Sequence, residues 1–194
     1  MEGPGDTVYL QISYRSPAAN SDDFFALTVM DSLLSGPSSL SMMGGGSVSN
    51  KTSRLYQALV EKDLAVSVSG GVQATIDPYL YEILAILPPD KSIDKALKMV
   101  DREIARLQEE KISPEEIARA VKQAKALFAY SSESITNQAF WLGYASMFAD
   151  HTWFESYIQR IEQVTAEQII SFAQRYLGQD HRIIGIYQPK NNRI

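Results

Sequence analysis

Two histidines, His151 and His181, are the whole supply of imidazole in 194 residues, and there is no cysteine. The lack of cysteine removes disulfides, thiol catalysis, thiolate zinc sites and iron–sulfur clusters as sources of chemistry. His151 precedes Glu155 by four residues, so both fall on one face of a helix. A metal site wants three or four ligands, however, and no second histidine or acidic cluster lies nearby in sequence. His151 therefore reads as a surface residue near a helix start, and His181, beside Asp180, as a solvated turn residue before a last strand. No serine sits in a Gly-x-Ser-x-Gly elbow. A Ser–His–Asp triad assembled from distant positions would depend on two poorly placed histidines. The carboxylate pairs Glu109-Glu110 and Glu115-Glu116 lie at expected helix ends, where they serve cap and dipole.

The other stretch with chemical promise runs over residues 36–50 and contains Met42-Met43-Gly44-Gly45-Gly46-Ser47-Val48-Ser49-Asn50. Residues 45–52 nearly fit a phosphate-binding loop, since Lys51-Thr52 resembles its end. Asn50 stands where the second glycine belongs, though, and the preceding element reads as a helix, not the strand that geometry requires. The phosphate reading fails. Consecutive glycines leave backbone amides unshielded and allow positive φ, so the segment could approach another chain closely or move as a lid. It would equally serve as a flexible connector.

The elements that would position these groups are legible from periodicity. Val8, Leu10, Ile12 and Tyr14 alternate with Tyr9, Gln11 and Ser13, predicting a half-buried strand over residues 7–14. Asn20-Ser21 then offers a cap for a helix that reaches Leu34, with Leu27, Met30, Leu33 and Leu34 facing inward. A short helix is expected over residues 51–62, with Leu55, Leu59 and Val60 apolar. Two antiparallel strands are expected over 64–73 and 79–88, with Val66 and Val68 sharing a face in the first. An exposed edge on that pair could accept an extended peptide by strand addition. From residue 90 the period is helical: Ile93, Leu97, Val100, Ile104 and Leu107 form one stripe. Ser113-Pro114-Glu115-Glu116 and Thr165-Ala166-Glu167-Gln168 both read as capping boxes. Two shorter helices lie between them, and Ile183 to Tyr187 closes as a strand. Strands do not alternate regularly with helices, so the fold class is α+β: two layers, a mostly antiparallel sheet with helices packed on one face. Residues 1–194 are expected to be a single domain. The abrupt start at Met1 suggests a fragment or subunit of something longer. The net charge of −5 disfavours nucleic acid. No apolar run is long enough for a transmembrane segment.

The order of motifs resembles a known family. Residues 42–49, Ser53-Arg54-Leu55-Tyr56-Gln57-Ala58-Leu59-Val60-Glu61-Lys62, Pro4-Gly5 leading to Tyr14-Arg15, Phe25-Ala26-Leu27, Leu33-Leu34, and Ile112-Ser113-Pro114-Glu115-Glu116 carry the likeness. Together they resemble the second-half, non-zinc domain of pitrilysin/insulinase-type zinc metallopeptidases, in a bacterial branch similar to mitochondrial processing peptidase. The resemblance implies a clam-shell chamber that holds peptide. Zinc would be absent from this chain and held by a partner domain bearing His-x-x-Glu-His, either upstream in the same polypeptide or on a separate subunit. It also implies an Arg and a Tyr that help hold substrate in many second halves. Here those positions fall at Val60 and Val66, so both polar groups are lost. The glycine stretch resembles a substrate-binding loop, which would assign peptide contact to Gly44, Gly45, Gly46 and Ser47. The expected function is thus the non-catalytic half of a peptidase, inactive alone. The alternative is an inactive structural or assembly domain of the same fold. Periplasm and cytoplasm both fit.

Overall fold

The computed structural model of the chain describes residues 1–38 and 51–190. The glycine stretch Gly44–Ser47 lies outside the described residues. Five strands form one sheet: β1 (Glu2–Gly3), β2 (Val8–Ser16), β3 (Ser67–Gly71), β4 (Tyr79–Leu87) and β5 (Arg182–Pro189), in the order β1-β5-β2-β4-β3. Three of the four pairings are antiparallel; β1 alone runs parallel to its neighbour, β5. The α+β, mostly antiparallel expectation holds. β1 was invisible to periodicity because two residues carry none, and the register Glu2↔Gln188 is what reveals it.

Along β2, Val8, Leu10, Ile12, Tyr14 and Ser16 are buried and every intervening residue is at least partly exposed. Tyr81, Ile83, Ala85 and Leu87 of β4 share that inner face through the pairs Tyr14↔Tyr81, Ile12↔Ile83, Leu10↔Ala85 and Val8↔Leu87. The opposite face carries Tyr9, Gln11 and Ile183, all exposed. Helices cover one side only.

The helical layer comprises α1 (Asp22–Leu34), α2 (Ile93–Glu109), α3 (Pro114–Ser131), α4 (Ile135–Ala145), α5 (His151–Glu162) and α6 (Ala166–Tyr176). Their starts follow the sequence closely. Ser21 Oγ accepts from the Asp23 amide, and both Ser113/Glu116 and Thr165/Gln168 close full capping boxes. Each cap satisfies amides that the helix itself leaves unpaired. Aromatic side chains knit the layer: Phe128 stacks on Tyr157 at 4.1 Å between ring centres, and Trp153 donates to the Ala19 carbonyl at 2.8 Å.

Two expectations need correction. The segment 51–62 does not form an ordinary helix; Tyr56–Val60 makes a single wide, π-type turn. It closes through the Leu64 and Ala65 amides, both donating to the Leu59 carbonyl, with Asp63 at φ +57. That left-handed residue swings the chain directly toward the sheet, leaving no room for another helical turn. The following strand is also shorter than 64–73, and Val66 does not share the buried face of Val68: Val66 is 64% exposed while Val68 is buried. Val66 lies in the connection from Asp63, one residue before β3, with its amide still bonded to β4.

α1 also departs from a one-faced helix. Every residue from Phe24 to Leu34 is buried, because the helix packs against α3, α5, α6 and β3 at once. Asp31 is therefore enclosed as well, and β3 comes close enough that Gly70 has no space for a side chain. A Cβ there would overlap Asp31 Oδ1 and Ser35 Oγ, whereas one on Gly71 would meet nothing nearer than 3.8 Å. Gly70→Ala is accordingly expected to cost about 1–3 kcal/mol through overpacking, and Gly71→Ala a much smaller amount, in parallel urea melts. Equal losses would place the constraint elsewhere.

Candidate functional site

The glycine stretch is the segment with the strongest functional expectation, and the described structure shows what holds its two flanks. On the leading side α1 ends at Ser35, whose amide and that of Gly36 both donate to the Asp31 carbonyl. Gly36 takes φ +99, a left-handed stop that favours glycine. The Asp31 carboxylate then gathers three hydroxyls. Oδ1 accepts from Ser35 Oγ and from Tyr81 OH at 3.0 Å, and Oδ2 accepts from Ser38 Oγ at 2.5 Å. Ser38 Oγ also lies 2.9 Å from the Gly70 carbonyl, so its single proton is shared between the two acceptors. One carboxylate thus ties the end of α1, the inner strand β4 and the first residues of the glycine-rich region to the edge strand β3.

On the trailing side Ser53, Arg54 and Leu55 are all buried. Arg54 Nε and Nη2 donate to Glu116 Oε1 at 3.2 and 3.0 Å, while Glu116 Oε2 accepts from the Ser113 amide. The residue that closes the α3 capping box therefore also anchors the returning chain. Burial pushes the Glu116 carboxyl up, but the Ser113 amide and the Arg54 guanidinium outweigh it and hold it below the usual range.

The other two candidate positions differ in exposure. Val60 ends the wide turn, half-buried against the core, whereas Val66 faces solvent with its amide donating to the Ile86 carbonyl at 2.8 Å. β3 is an edge of the sheet, as strand addition would need, although Ser38 already occupies the Gly70 carbonyl. His151 opens α5 and His181 closes a short 3-10 turn, both exposed. Among the described residues no group of three or more His, Asp or Glu side chains is placed to hold a metal ion. No helix among them is long and apolar enough to cross a membrane.

The Asp31 cluster and the Arg54–Glu116 pair escaped the sequence reading. A signal for the first existed: an aspartate inside the apolar run Leu27-Thr28-Val29-Met30-Asp31-Ser32-Leu33-Leu34, four residues before a serine. Burial raises the Asp31 carboxyl to about 6, with the Ser35, Ser38 and Tyr81 hydroxyls restraining the rise. Tyr81 is pushed up by its own burial and then by the Asp31 charge. Because the folded value lies above the ordinary 3.8, this group's contribution to stability is complete below about pH 4 and is lost as pH rises through about 6. Relative to Asp31→Asn, the wild-type chain should lose on the order of 2 kcal/mol between pH 4 and pH 7 in urea melts. Parallel pH profiles for the two proteins would contradict this.

The profile described as "Peptidase M16 inactive domain" matches residues 1–124. Curated proteins give no match. Among solved structures, a Bordetella pertussis Tohama I chain with a zinc-protease designation superposes with a TM-score of 0.79 at 27% identity, covering 95% of this chain and 94% of that one. The inactive peptidase domain of a similarly designated Bordetella parapertussis protein gives 0.80 at 24% identity, over 100% and 99%. A Pseudomonas fluorescens structure titled as a peptidase M16 inactive domain gives 0.79 at 18% identity. This chain is covered over 98% there but spans only 42% of that longer chain. With the profile matching well over half its length, the chain belongs to the peptidase M16 inactive-domain family.

Proposed function

We propose that residues 1–194 form the non-catalytic half of a zinc metallopeptidase. In this reading the chain completes a peptide-holding chamber with a domain that carries His-x-x-Glu-His and the zinc. Family membership is the observation that carries it. Gly44, Gly45, Gly46 and Ser47 would touch the peptide backbone. Support comes from their flanks, which are pinned at Ser38 and Arg54, so that the stretch departs from fixed points on the fold.

The exposed Val66 and the inward Val60 favour a second reading, a domain of the same fold kept for assembly rather than for handling substrate. Neither position offers a polar group to a peptide.

Cleavage of a fluorogenic peptide separates the two. The chain alone should be inactive, and addition or fusion of its zinc-bearing half should restore cleavage. Deleting residues 44–49 in that pair should lower kcat/KM by roughly tenfold or more, as expected for lost substrate positioning. Unchanged cleavage after the deletion would refute the loop's role, and a pair that never cleaves would favour assembly.

A further inference from the structure

Arg54 does more than hold Glu116. Its side chain is 7% exposed, and Nε and Nη2 are both spent on Glu116 Oε1. Nη1 is buried too, yet among the described residues it has no hydrogen-bond partner. A guanidinium N–H enclosed without an acceptor has given up its hydration for nothing in return, so an acceptor placed there is strongly favoured. Arg54 lines a cavity of about 10 Å³ together with Ser32, Glu116, Arg119 and Ala120. That volume admits one oxygen atom, either of a water or of a larger group whose remainder stays outside.

Charge distinguishes these occupants. Glu116 compensates only one of the two guanidiniums at this place. Arg119 is exposed and acts on Glu116 through its charge. A water would satisfy Nη1 and leave the surplus positive charge; a carboxylate would answer both. The Nε–Nη2 edge of Arg54 is occupied, so Nη1 offers its donors away from Glu116, in the plane of the guanidinium.

We propose that this notch is a carboxylate-binding site, in which one carboxylate oxygen enters to accept from Arg54 Nη1 while the other stays at the mouth beside Arg119. A planar carboxylate fits a one-oxygen opening better than a tetrahedral anion, which would leave three oxygens crowded at the rim. The carboxylate could belong to a peptide, at its C-terminus or on an acidic side chain, or to a free small acid. The peptide source rests on the proposed chamber function; the site itself does not.

The test uses the complete chain at pH 7 without any zinc-bearing partner, so its failure would leave the pairing hypothesis untouched. Melting temperature is compared in sodium acetate and sodium chloride at equal ionic strength. Acetate at 100 mM should raise Tm by about 2 °C over chloride. Arg54→Lys keeps a cation for Glu116 but lacks Nη1, and should cut that difference to the general salting contribution of acetate alone. Arg119→Gln, an exposed substitution, should at least halve the difference. The general salting contribution of acetate is common to wild type and variants and cancels in their comparison. No difference between the salts, or an acetate effect as large in both variants as in the wild type, would overturn the site and leave Nη1 with a water. A short peptide with a free C-terminal carboxylate is then compared with its amide by fluorescence anisotropy. Tighter binding of the acid assigns the notch to peptide, whereas an acetate effect with equal peptide affinities assigns it to free acids.

Discussion

Helix α1 is sealed on every side, and one of its residues is a carboxylic acid. Enclosing Phe24, Leu27, Met30 and Leu34 contributes about 1.5–3 kcal/mol for each large side chain, enough to hold the helix in the middle of the domain. An ionised Asp31 without partners would consume several of those contributions. The surroundings meet the problem with three hydroxyls and with a glycine at the one strand position where a side chain would intrude. The same contacts set the spacing between α1 and β3 and mark where the chain leaves for the glycine stretch. Packing and layout are therefore coupled through one residue.

Much of this architecture is legible in the sequence because its signals are local. The alternation along β2 and β4 and the boxes at Ser113 and Thr165 each depend on residues within one element, and the structure reproduces them. What periodicity misses depends on distant partners. The role of Asp31 needs Tyr81 and Gly70, fifty and thirty-nine positions away in a sheet whose order is not written locally. Arg54 needs Glu116, which already has a complete local explanation as a capping residue. The wide turn at Tyr56–Val60 looks helical by composition, and only its closure through Asp63 shows otherwise. The family resemblance drew on motif order, so it survived these local errors.

The two anchors also show where acidic groups of this chain are spent. Several of its acidic side chains are held in structural contacts: Asp31 by hydroxyls, Glu116 by Arg54 and a helix start, and Asp22 and Asp23 by Arg160 and Arg175. None of these is arranged as an acid–base pair facing solvent. The proposed division of labour, with reaction chemistry in a partner domain and peptide contact here, is consistent with that commitment. Arg54 Nη1 stands apart, a strong donor left over after the structural bonds are made.

Zinc stoichiometry tests the central claim most directly. The chain is incubated with excess zinc, dialysed and analysed for metal, alone and in complex with the zinc-bearing half. Essentially no zinc should be retained by the chain alone, and about one ion per complex, since a durable site needs three or four ligands. Stoichiometric zinc on the isolated chain would contradict it.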